Sequence, residues 1–514
     1  MQQPNLVWQC TIARLQSSAT YSQCNPVRME YLELLKLASP EAIVVFTALV
    51  VLSISLTVRR AGSTCVFVAL FGLIIAIAAI LMLPRDATLF GGMLVLSPLT
   101  SLFKIICLTL AFFTVLLTHA ERSHPHFGEY LAIILLATVG LMLLVGSEEL
   151  LMIFIGLELL GLSLYVMVAF AKLDVRSVEA GLKYFLFGST SSAFTLFGIS
   201  LLYGISGTTS LEAIAHKLAT TAVQPLLAVG IVMTLVGFAF KIAAAPFHLW
   251  APDAYQGAPV PSAAFIASGS KVASFLVLGK IVLVGFAPVH GNAGWHAMLA
   301  GWSPLLAALS AFSIVIGNLV ALAQSNVRRL LAYSAVAHAG YTLIGFVTGG
   351  RDGFSAALFY TTIYAVTLVG AFAVVGVVRR ETGGDDLSNF SGLVSRSPVL
   401  AGCMAVFMLS LAGIPPLAGF FGKFYLFSAA LHAAGGQGLL WLVVLGLVGS
   451  FVSLYYYLLV LKAIFVEEPS MALLHDRTSS DIVQKGTVGA LAAAVVLLGV
   501  MPNILASQIF AAIP

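Results

Sequence analysis

The sequence consists almost entirely of uninterrupted apolar runs of about twenty residues, and this feature limits its fold more than any other. At 1.5 Å per residue, a helix of about twenty apolar residues crosses the hydrocarbon layer of a bilayer. Each run must be helical, because lipid offers no partner for free backbone N–H and C=O groups. A membrane barrel is disfavoured, since its strands alternate apolar and polar residues.

We therefore predict an all-α integral membrane protein with about fourteen transmembrane helices and no β-strands. The predicted segments, in chain order, are 40–57, 62–83, 98–118, 129–147, 149–171, 177–206, 222–249, 260–285, 302–323, 330–349, 353–379, 397–432, 437–465 and 488–511.

Two of these segments are too long, and each is interrupted by proline. One contains Pro246 between Lys241 and His248; the other contains Pro415-Pro416, followed by Lys423. Proline removes a backbone donor, so such a break persists in a membrane where protein or water satisfies the freed groups. Broken helices in corresponding halves of a chain indicate an inverted-repeat transporter core.

The composition excludes several classes of function. Charged residues make up 9% of the chain, against about a quarter in soluble domains, and the net charge of +4 lies in loops, so no nucleic-acid surface is expected. The five cysteines have no paired spacing, and no metal, iron–sulfur, haem or nucleotide motif is present. We expect this chain to bind no cofactor or metal and to act through protonation.

Loop charges predict the orientation, because lysine and arginine concentrate on the cytoplasmic side. Both termini then lie on the outer side. The cytoplasmic set is Arg59, Arg60, Arg122, Lys172, Arg176, Arg328, Arg329, Arg379, Arg380, Arg396, Arg477 and Lys485. Residues 1–28 are polar and lack the order of a signal peptide, so we interpret them as a tail or as a segment before the natural start at Met29.

Ionisable residues inside apolar runs are the candidate functional residues, because a charge at mid-bilayer costs about 2.5–3.5 kcal/mol on insertion scales. The deepest are Lys104, Glu158, Lys183, Lys241, Lys271, Lys280, His338 and Lys423. Burial favours the neutral amine of lysine, which lets it take up and release a proton near neutral pH.

Lys241 and Lys271 lie in mid-segment with no acidic residue within two turns, and we predict that both carry protons. Glu158 is either a proton carrier or a protonated structural group. Lys183 has two candidate partners: Glu179 at i,i+4 on its own helix, or Glu158 across helices.

His248 either connects Lys241 to Lys271 through water or is a packing residue. Lys423, after the second break, is the expected entry or exit group. His338 is ambiguous in the same way, and Lys104 has no motif around it. For the residues nearer helix ends we predict snorkelling (Lys280, Lys462) or a boundary position (Glu148, Glu149).

Four motifs contain most of these residues. They are Gly156-Leu-Glu-Leu-Leu-Gly-Leu-Ser-Leu-Tyr165, Lys241-Ile-Ala-Ala-Ala-Pro-Phe-His-Leu-Trp-Ala-Pro-Asp-Ala-Tyr-Gln-Gly-Ala-Pro259, Asn326-Val-Arg-Arg-Leu-Leu-Ala-Tyr-Ser334 and Gly413-Ile-Pro-Pro-Leu-Ala-Gly-Phe-Phe-Gly-Lys423. The motifs resemble one family, subunit N (subunit 2) of the proton-translocating NADH:quinone oxidoreductase, or respiratory complex I. The resemblance covers the chain from about residue 30 to its end.

The resemblance implies fourteen helices with two inverted five-helix repeats. It also implies a proton relay of Glu158 paired with Lys183, then Lys241, His248, Lys271 and Lys423, driven by quinone reduction elsewhere in the complex. NAD, FMN, Fe–S clusters and quinone would be bound by partner subunits, and this chain would have no redox site of its own. The expected partners are other membrane subunits, lipid and protons, in the inner (plasma) membrane.

The predicted domains are an N-terminal extension (1–39), a three-helix segment (40–128), two antiporter-like repeats (129–285 and 302–465) and a C-terminal helix (488–514). Two other functions remain open. The chain could be an Mrp-type cation/proton antiporter subunit, which shares the fold and the lysines, or a passive membrane anchor of the complex.

Overall fold

The computed structural model describes residues 31–58, 61–119, 126–220, 224–433, 438–468 and 482–514. The interpretation of residues 1–28 and the loop charges Arg59, Arg60, Arg122 and Arg477 lie outside the described residues. Within these ranges the chain is almost wholly helical, and twelve helices are long and apolar enough to cross a membrane. The prediction of an all-α multi-pass membrane protein is confirmed.

The described helices follow one another in chain order, with one short hairpin after the third. They are α1 (Tyr31–Leu37), α2 (Ser39–Thr57), α3 (Gly62–Met82), strands β1 (Ala87–Leu89) and β2 (Leu94–Leu96), α4 (Pro98–Thr118), α5 (Phe127–Gly146), α6 (Leu150–Val168), α7 (Val175–Ser206), α8 (Leu211–Thr220), α9 (Pro225–Lys241), α10 (Trp250–Gly257), α11 (Val260–Ala267), α12 (Gly269–Lys280), α13 (Trp302–Leu322), α14 (Val327–Val347), α15 (Gly350–Thr382), α16 (Leu393–Arg396), α17 (Pro398–Ala412), α18 (Ala418–His432), α19 (Leu440–Phe465), α20 (Ile482–Val500) and α21 (Asn503–Ala512).

The prediction of no strands was wrong. The antiparallel hairpin of β1 and β2 aligns Ala87 with Leu96, and Leu94 also bridges Ser147 at the end of α5. Its three-residue strands lie between two spanning helices and are too short to produce a detectable alternation in the sequence.

Side-chain caps fix several helix starts. The Ser97 hydroxyl accepts from the Thr100 amide at 3.2 Å, and the Glu149 carboxylate accepts from the Met152 amide at 2.8 Å. Asn326 caps α14 through the amides of Arg328 and Arg329. Such caps satisfy N–H groups that have no partner within the helix. Glu149 is thus a boundary residue, as predicted.

Both proline breaks occur where the sequence places them, between α9 and α10 and between α17 and α18. At the first break the freed backbone groups are satisfied by protein: the Ala245 amide donates to Ser313 Oγ at 2.9 Å, and Trp250 Nε1 donates to the Phe240 carbonyl at 3.0 Å. This is the condition under which non-helical backbone persists inside a membrane.

Our segment predictions missed two further interruptions. The predicted span 260–285 divides at Ser268, whose φ of −115° and ψ of −88° are not helical, and it ends in a π-helical turn at Ile281–Gly285. The predicted span 488–511 divides into α20 and α21 next to Pro502. No proline lies beside Ser268, and its irregular backbone depends on packing that is not visible in the local sequence. Pro502, in contrast, was a local signal that the prediction of one continuous span overlooked.

The centre of the protein is formed by α11, α12, α14 and α15. About nine-tenths of their membrane-length windows are buried, whereas α2 and α7 bury a third and expose apolar side chains. Because hydrocarbon solvates apolar side chains well, the outer helices can keep apolar surfaces exposed to lipid. The ionisable residues at the centre are therefore shielded from lipid by a surrounding layer of helices.

Candidate functional site

Glu158 of α6 and Lys241 of α9 face the same small cavity. The cavity has a volume of about 20 Å³, and its polar lining includes Ser191, Ser192 and Tyr165. This volume admits roughly one water molecule. Glu158 accepts a short hydrogen bond from the Ser192 hydroxyl, whereas the buried Ser191 hydroxyl has no partner among the described residues. A water molecule in the cavity would have both a free hydroxyl and a charged group to bind.

Lys241 is the last residue of α9, at the edge of the first break, and 6% of its surface is exposed. Its ammonium group has no hydrogen-bond partner among the described residues. An unpaired ammonium loses several kcal/mol of solvation on burial, so the group is stable as a neutral amine or with water and a nearby carboxylate. A lysine that is stable both as a neutral amine and as a hydrated, paired ammonium can gain and lose a proton.

Lys183 does not pair with Glu158, and that prediction was wrong. Its ammonium group lies 2.7 Å from Glu179 and 2.8 Å from Asp253 of α10. Ser192, which binds Glu158, lies nine residues further along α7, so about 13.5 Å separates the two positions along the helix axis. The local alternative with Glu179 is confirmed, and Asp253 is an additional partner.

Asp253 links Lys183 to Arg329 of α14, whose guanidinium donates to the other carboxylate oxygen at 2.7 Å. Burial acts to raise the pKa of Asp253, but the hydrogen bonds and charges of Lys183 and Arg329 outweigh it and hold the pKa below its usual value. Lys183, Asp253 and Arg329 form what we call the Asp253 network.

The neighbouring Arg328 is also not a simple loop charge. It is 1% exposed, forms a short ion pair with Asp385, and donates to the Ala258 carbonyl at 2.8 Å. It therefore ties α14 to the chain after α10 and to the loop after α15.

His248 lies in the first break with 6% of its surface exposed. Its ring centroid is 6.2 Å from that of Tyr333, and no described residue bonds its Nδ1. Among the described residues, no hydrogen bond joins it to Lys241 or Lys271. Its connecting role stays a prediction.

Lys271 lies in the first turn of α12 with 1% of its surface exposed. Its ammonium donates to the Ala335 carbonyl at 2.9 Å and lies 5.6 Å from the centre of the Tyr364 ring. Ala335 is three residues before His338 on α14. Lys271 thus reaches the polar groups in the middle of α14.

His338 is the centre of a buried polar cluster that the sequence left ambiguous. The Tyr360 hydroxyl lies 2.6 Å from its Nδ1 and the Tyr457 hydroxyl 3.0 Å from its Nε2. The imidazole is 4.7 Å from Tyr364 and 5.6 Å from Tyr341, measured between ring centroids. Since Tyr364 also lies beside Lys271, this cluster connects the helix of Lys271 to the second half of the protein.

Lys423 of α18 lies on the far side of the His338 cluster. Its ammonium donates to the Ala412 carbonyl at 2.9 Å and to Ser450 Oγ at 2.6 Å, and it lies 5.2 Å from the centre of the Tyr341 ring. Ala412 is the last residue of α17, so Lys423 satisfies a backbone carbonyl at the second break. The structure therefore arranges Lys271, His338 and Lys423 in that order across the second half.

Snorkelling of Lys280 was also a wrong prediction. The side chain is 5% exposed, and its ammonium lies 3.0 Å from the Val145 carbonyl and 3.3 Å from Glu148. Lys104, which has no sequence motif, lies 2.6 Å from Glu41 with 3% of its side chain exposed. Both lysines pair with glutamates distant in sequence, so local sequence gives no sign of either pair.

The sequence also left several polar residues of the site unassigned. Asp253 stands inside the motif that begins at Lys241, and Asp385 follows the arginines that end α15. Tyr360 and Tyr457 lie in apolar helices where tyrosine is unremarkable. Among the described residues, no group of three or more His, Cys, Asp or Glu side chains could hold a metal ion.

A family model described as "NADH:quinone oxidoreductase/Mrp antiporter, TM" matches residues 147–453, the region that holds both breaks and most of the buried lysines. NADH-quinone oxidoreductase subunit N 2 of Acidobacterium capsulatum is 46% identical over 499 residues, covering 94% of this chain and 99% of the relative. NADH-quinone oxidoreductase subunit N of Trichlorobacter lovleyi is 44% identical over 377 residues, covering 72% and 75%.

Solved structures give the same result for the fold. A chain of respiratory complex I from Thermus thermophilus with bound aureothin superposes with a TM-score of 0.76 at 32% identity, covering 91% of this chain and 98% of that chain. A chain of the Mrp complex from Dietzia sp. superposes with a TM-score of 0.80 at 21% identity, covering 93% and 97%. At that identity the second similarity concerns the fold alone.

Proposed function

The chain belongs to the subunit N family of NADH:quinone oxidoreductases, within the wider oxidoreductase/Mrp antiporter group, and from this premise we propose that it moves protons across the membrane as a subunit of such a complex. It would do so through buried ionisable side chains. One observation carries the proposal: Lys241, Lys271 and Lys423 are each at most 6% exposed, and the polar residues around His338 lie between Lys271 and Lys423.

Contacts support the order of groups on either side of Lys271, although among the described residues no hydrogen bond joins Lys241 to Lys271. Glu158 and Lys241 face one water-sized cavity, and Lys271 is next to the polar middle of α14. From there Tyr364, His338 and Tyr341 lead to Lys423. Protons would pass along these groups with intervening water. His338 is therefore added to the six residues expected from the sequence, whereas Lys183 acts through Asp253.

Redox energy released on partner subunits would drive the relay by changing charges next to Glu158. Moving one charge against about 150 mV costs roughly 3.5 kcal/mol. An ion pair about 7 Å apart, at an effective dielectric near 20, contributes about 2.4 kcal/mol. A change in one such pair therefore cannot supply the energy needed to move one proton, whereas changes in two coupled pairs can. Glu158 with Lys241, which face one cavity, would be one of these pairs.

Other membrane subunits of the complex would flank this subunit, and NAD, FMN, Fe–S clusters and quinone would be bound by partners rather than by this chain. The complex would lie in the plasma membrane with both termini of this chain outside. Two antiporter-like inverted repeats, 129–285 and 302–465, would provide the two half-channels.

The test is proton pumping by the purified complex in proteoliposomes, started with NADH and a quinone and followed with a pH-sensitive dye. Lys241→Met should abolish most of the pumping, because methionine keeps the length of the side chain but carries no proton. The matched control is Lys462→Met, since Lys462 has 60% of its side chain exposed. Equal pumping by the two variants would overturn the relay.

A passive anchor and an Mrp-type antiporter predict different results. An anchor would pump normally without Lys241. An antiporter subunit would exchange a cation for protons in vesicles that contain no electron donor.

A further inference from the structure

A large cavity lies between α4, α5, α11, α15 and α20, at the membrane face that holds the Asp253 network. Its volume of about 630 Å³ lies within the range of about 300–1,000 Å³ that is typical of ligand sites. One wall is formed by residues 257–261, which connect α10 to α11, and the Ala258 carbonyl in this wall accepts a hydrogen bond from Arg328. The proposed relay uses none of the described residues that line the cavity.

The cavity combines apolar walls with a charged mouth. Arg379 and Arg380 line it near the end of α15, at the membrane surface, and Phe372 lines it two turns further into the bundle. Seven residues separate Phe372 from Arg379, which corresponds to about 10.5 Å along the helix axis. The apolar walls also include Leu117, Phe127 and Val260. The cavity therefore suits an amphipathic molecule whose polar end stays at the membrane surface.

The two arginines make the mouth electropositive. Arg379 donates to Asp385 at 3.2 Å, but Asp385 also pairs with the buried Arg328, so one carboxylate is shared by two guanidinium groups. Arg380 donates a short hydrogen bond to Gln484, a neutral side chain. A guanidinium has five N–H donors, so Arg379, whose side chain is 37% exposed, can donate to a further anion.

The acidic side chains near the mouth have partners of their own. Asp174, which belongs to the lining, accepts a hydrogen bond from the Arg176 amide at 2.9 Å and caps the start of α7. Glu381, which follows the two arginines in the chain, pairs with Arg396 at 3.5 Å. The charge that remains at the mouth is therefore positive, and its complement is an anionic group.

We propose that this cavity binds an anionic phospholipid of the adjacent leaflet, with its phosphate on Arg379 and Arg380 and an acyl chain against Phe372. Arginine suits phosphate because its planar guanidinium donates to two oxygens at once. Basic pockets between transmembrane helices on the cytoplasmic side bind anionic lipid headgroups in other membrane proteins, and the loop charges predict that this face is cytoplasmic. The bound lipid packs against residues 257–261 and thereby stabilises the end of the first broken helix. This inference does not depend on the proton relay.

The test is photolabelling of the purified complex in phosphatidylcholine vesicles. The probe is phosphatidylglycerol with a photoreactive diazirine in its acyl chain, and phosphatidylcholine with the same chain is the matched zwitterionic probe. After illumination, mass spectrometry of the digested subunit locates the label. We expect the anionic probe to label α15 around Phe372 and the zwitterionic probe to label it much less. Equal labelling by the two probes overturns the site, as does an unlabelled α15, the result expected if a partner subunit fills the cavity.

Two double variants test the role of the arginines. Arg379→Gln with Arg380→Gln should lower labelling by the anionic probe roughly ten-fold or more, because each basic residue near an anionic lipid surface strengthens binding several-fold. Arg176→Gln with Lys462→Gln is the matched control, since it also removes two positive charges, from exposed side chains outside the described lining. Similar labelling of the two double variants overturns the site.

A cavity-filling variant decides the matter where the arginine variant does not assemble. Ala373→Phe enlarges a buried side chain of the apolar wall and leaves both arginines in place. Loss of the label around Phe372 supports the site, and unchanged labelling overturns it. The labelling requires no electron donor, so its outcome is separate from that of the pumping assay: loss of pumping in Lys241→Met with no lipid label rejects the lipid site alone.

Discussion

The lysines of the candidate site differ in what their ammonium groups contact. Lys241 faces a cavity and a carboxylate, Lys271 and Lys423 donate to backbone carbonyls beside tyrosine rings, and Lys183 lies in an ion-pair network. Neutral partners such as carbonyls and hydroxyls stabilise a charge less than a carboxylate does. The residues with neutral partners are therefore the ones whose protonation changes most easily.

His338 gives the first prediction at this scale. His338→Leu removes the imidazole that hydrogen-bonds the buried hydroxyls of Tyr360 and Tyr457. The Tyr457 hydroxyl keeps Ser334 as a partner, whereas the Tyr360 hydroxyl loses its described partner. An unsatisfied buried hydroxyl costs about 1–3 kcal/mol, so thermal stability should fall. Pumping should be lost as well, because the groups between Lys271 and Lys423 are interrupted. Tyr457→Phe, which leaves the imidazole in place, is the comparison. A stable His338→Leu complex with normal pumping would contradict the order of the relay.

The position of Lys183 gives a second prediction, tested by double-mutant cycles. Groups in contact show coupling energies of about 0.5–3 kcal/mol, whereas distant groups are additive. The effects of Lys183→Gln and Asp253→Asn on pumping rate should therefore be strongly non-additive, and those of Lys183→Gln and Glu158→Gln close to additive. The reverse pattern would place Lys183 beside Glu158 in the working complex.

At the scale of elements, the two broken helices place the ends of helices inside the protein. The ends expose carbonyl and amide groups that side chains from other helices satisfy, as Lys423 does for Ala412 and Ser313 does for Ala245. A continuous helix could not provide these groups, because its own backbone would bond them. The breaks therefore create binding positions for charged side chains at the centre of the bundle.

Gly413 allows a test of whether the second break positions the Lys423 side chain. It ends α17 with a φ of +87°, and a Cβ atom there would lie 3.0 Å from Lys423 Cδ. Gly413→Ala should cost roughly 1–2 kcal/mol in backbone strain and displace the Lys423 side chain, which lowers pumping and thermal stability together. Gly402→Ala on the same helix meets nothing within 4 Å and should leave both unchanged. A Gly413→Ala complex as stable and active as Gly402→Ala would show that this turn does not position Lys423.

At the scale of the whole molecule, ion pairs at one face join the two halves of the chain. Asp253 contacts both Lys183 and Arg329, and Arg328 contacts both Asp385 and the Ala258 carbonyl. These contacts lie at the end of the first broken helix. Movement of α10 would therefore affect both halves, as the proposed relay through both halves requires.

Because Asp253 must be ionised to form its ion pairs, the link between the two halves of the chain depends on pH. Its native pKa lies below the unfolded value of about 3.9, because hydrogen bonds and charges of Lys183 and Arg329 outweigh the opposing effect of burial. The stabilisation is therefore fully present above about pH 4 and is lost as pH falls through the native pKa. Asp253→Asn should lower the melting temperature of the complex at pH 7, with a difference that shrinks below about pH 4. A difference that persists unchanged to pH 3 would contradict this assignment.

The sequence by itself determined the membrane fold, the positions of both proline breaks and the identity of most buried ionisable residues. Each of these depends on local properties: the length of an apolar run, the missing N–H of proline, and the cost of a charge within such a run. For the same reason Lys241, Lys271 and Lys423 were identified without knowledge of their surroundings.

Only the tertiary structure decided which groups meet. The Lys183 partner on α10, the tyrosines around His338, the Lys104–Glu41 pair and the burial of Lys280 all join residues from different helices. Helix packing sets these distances, and it depends on the shapes of many side chains at once. A lysine next to a carbonyl and a lysine next to a carboxylate look the same in the sequence, yet they hold their protons with different strength.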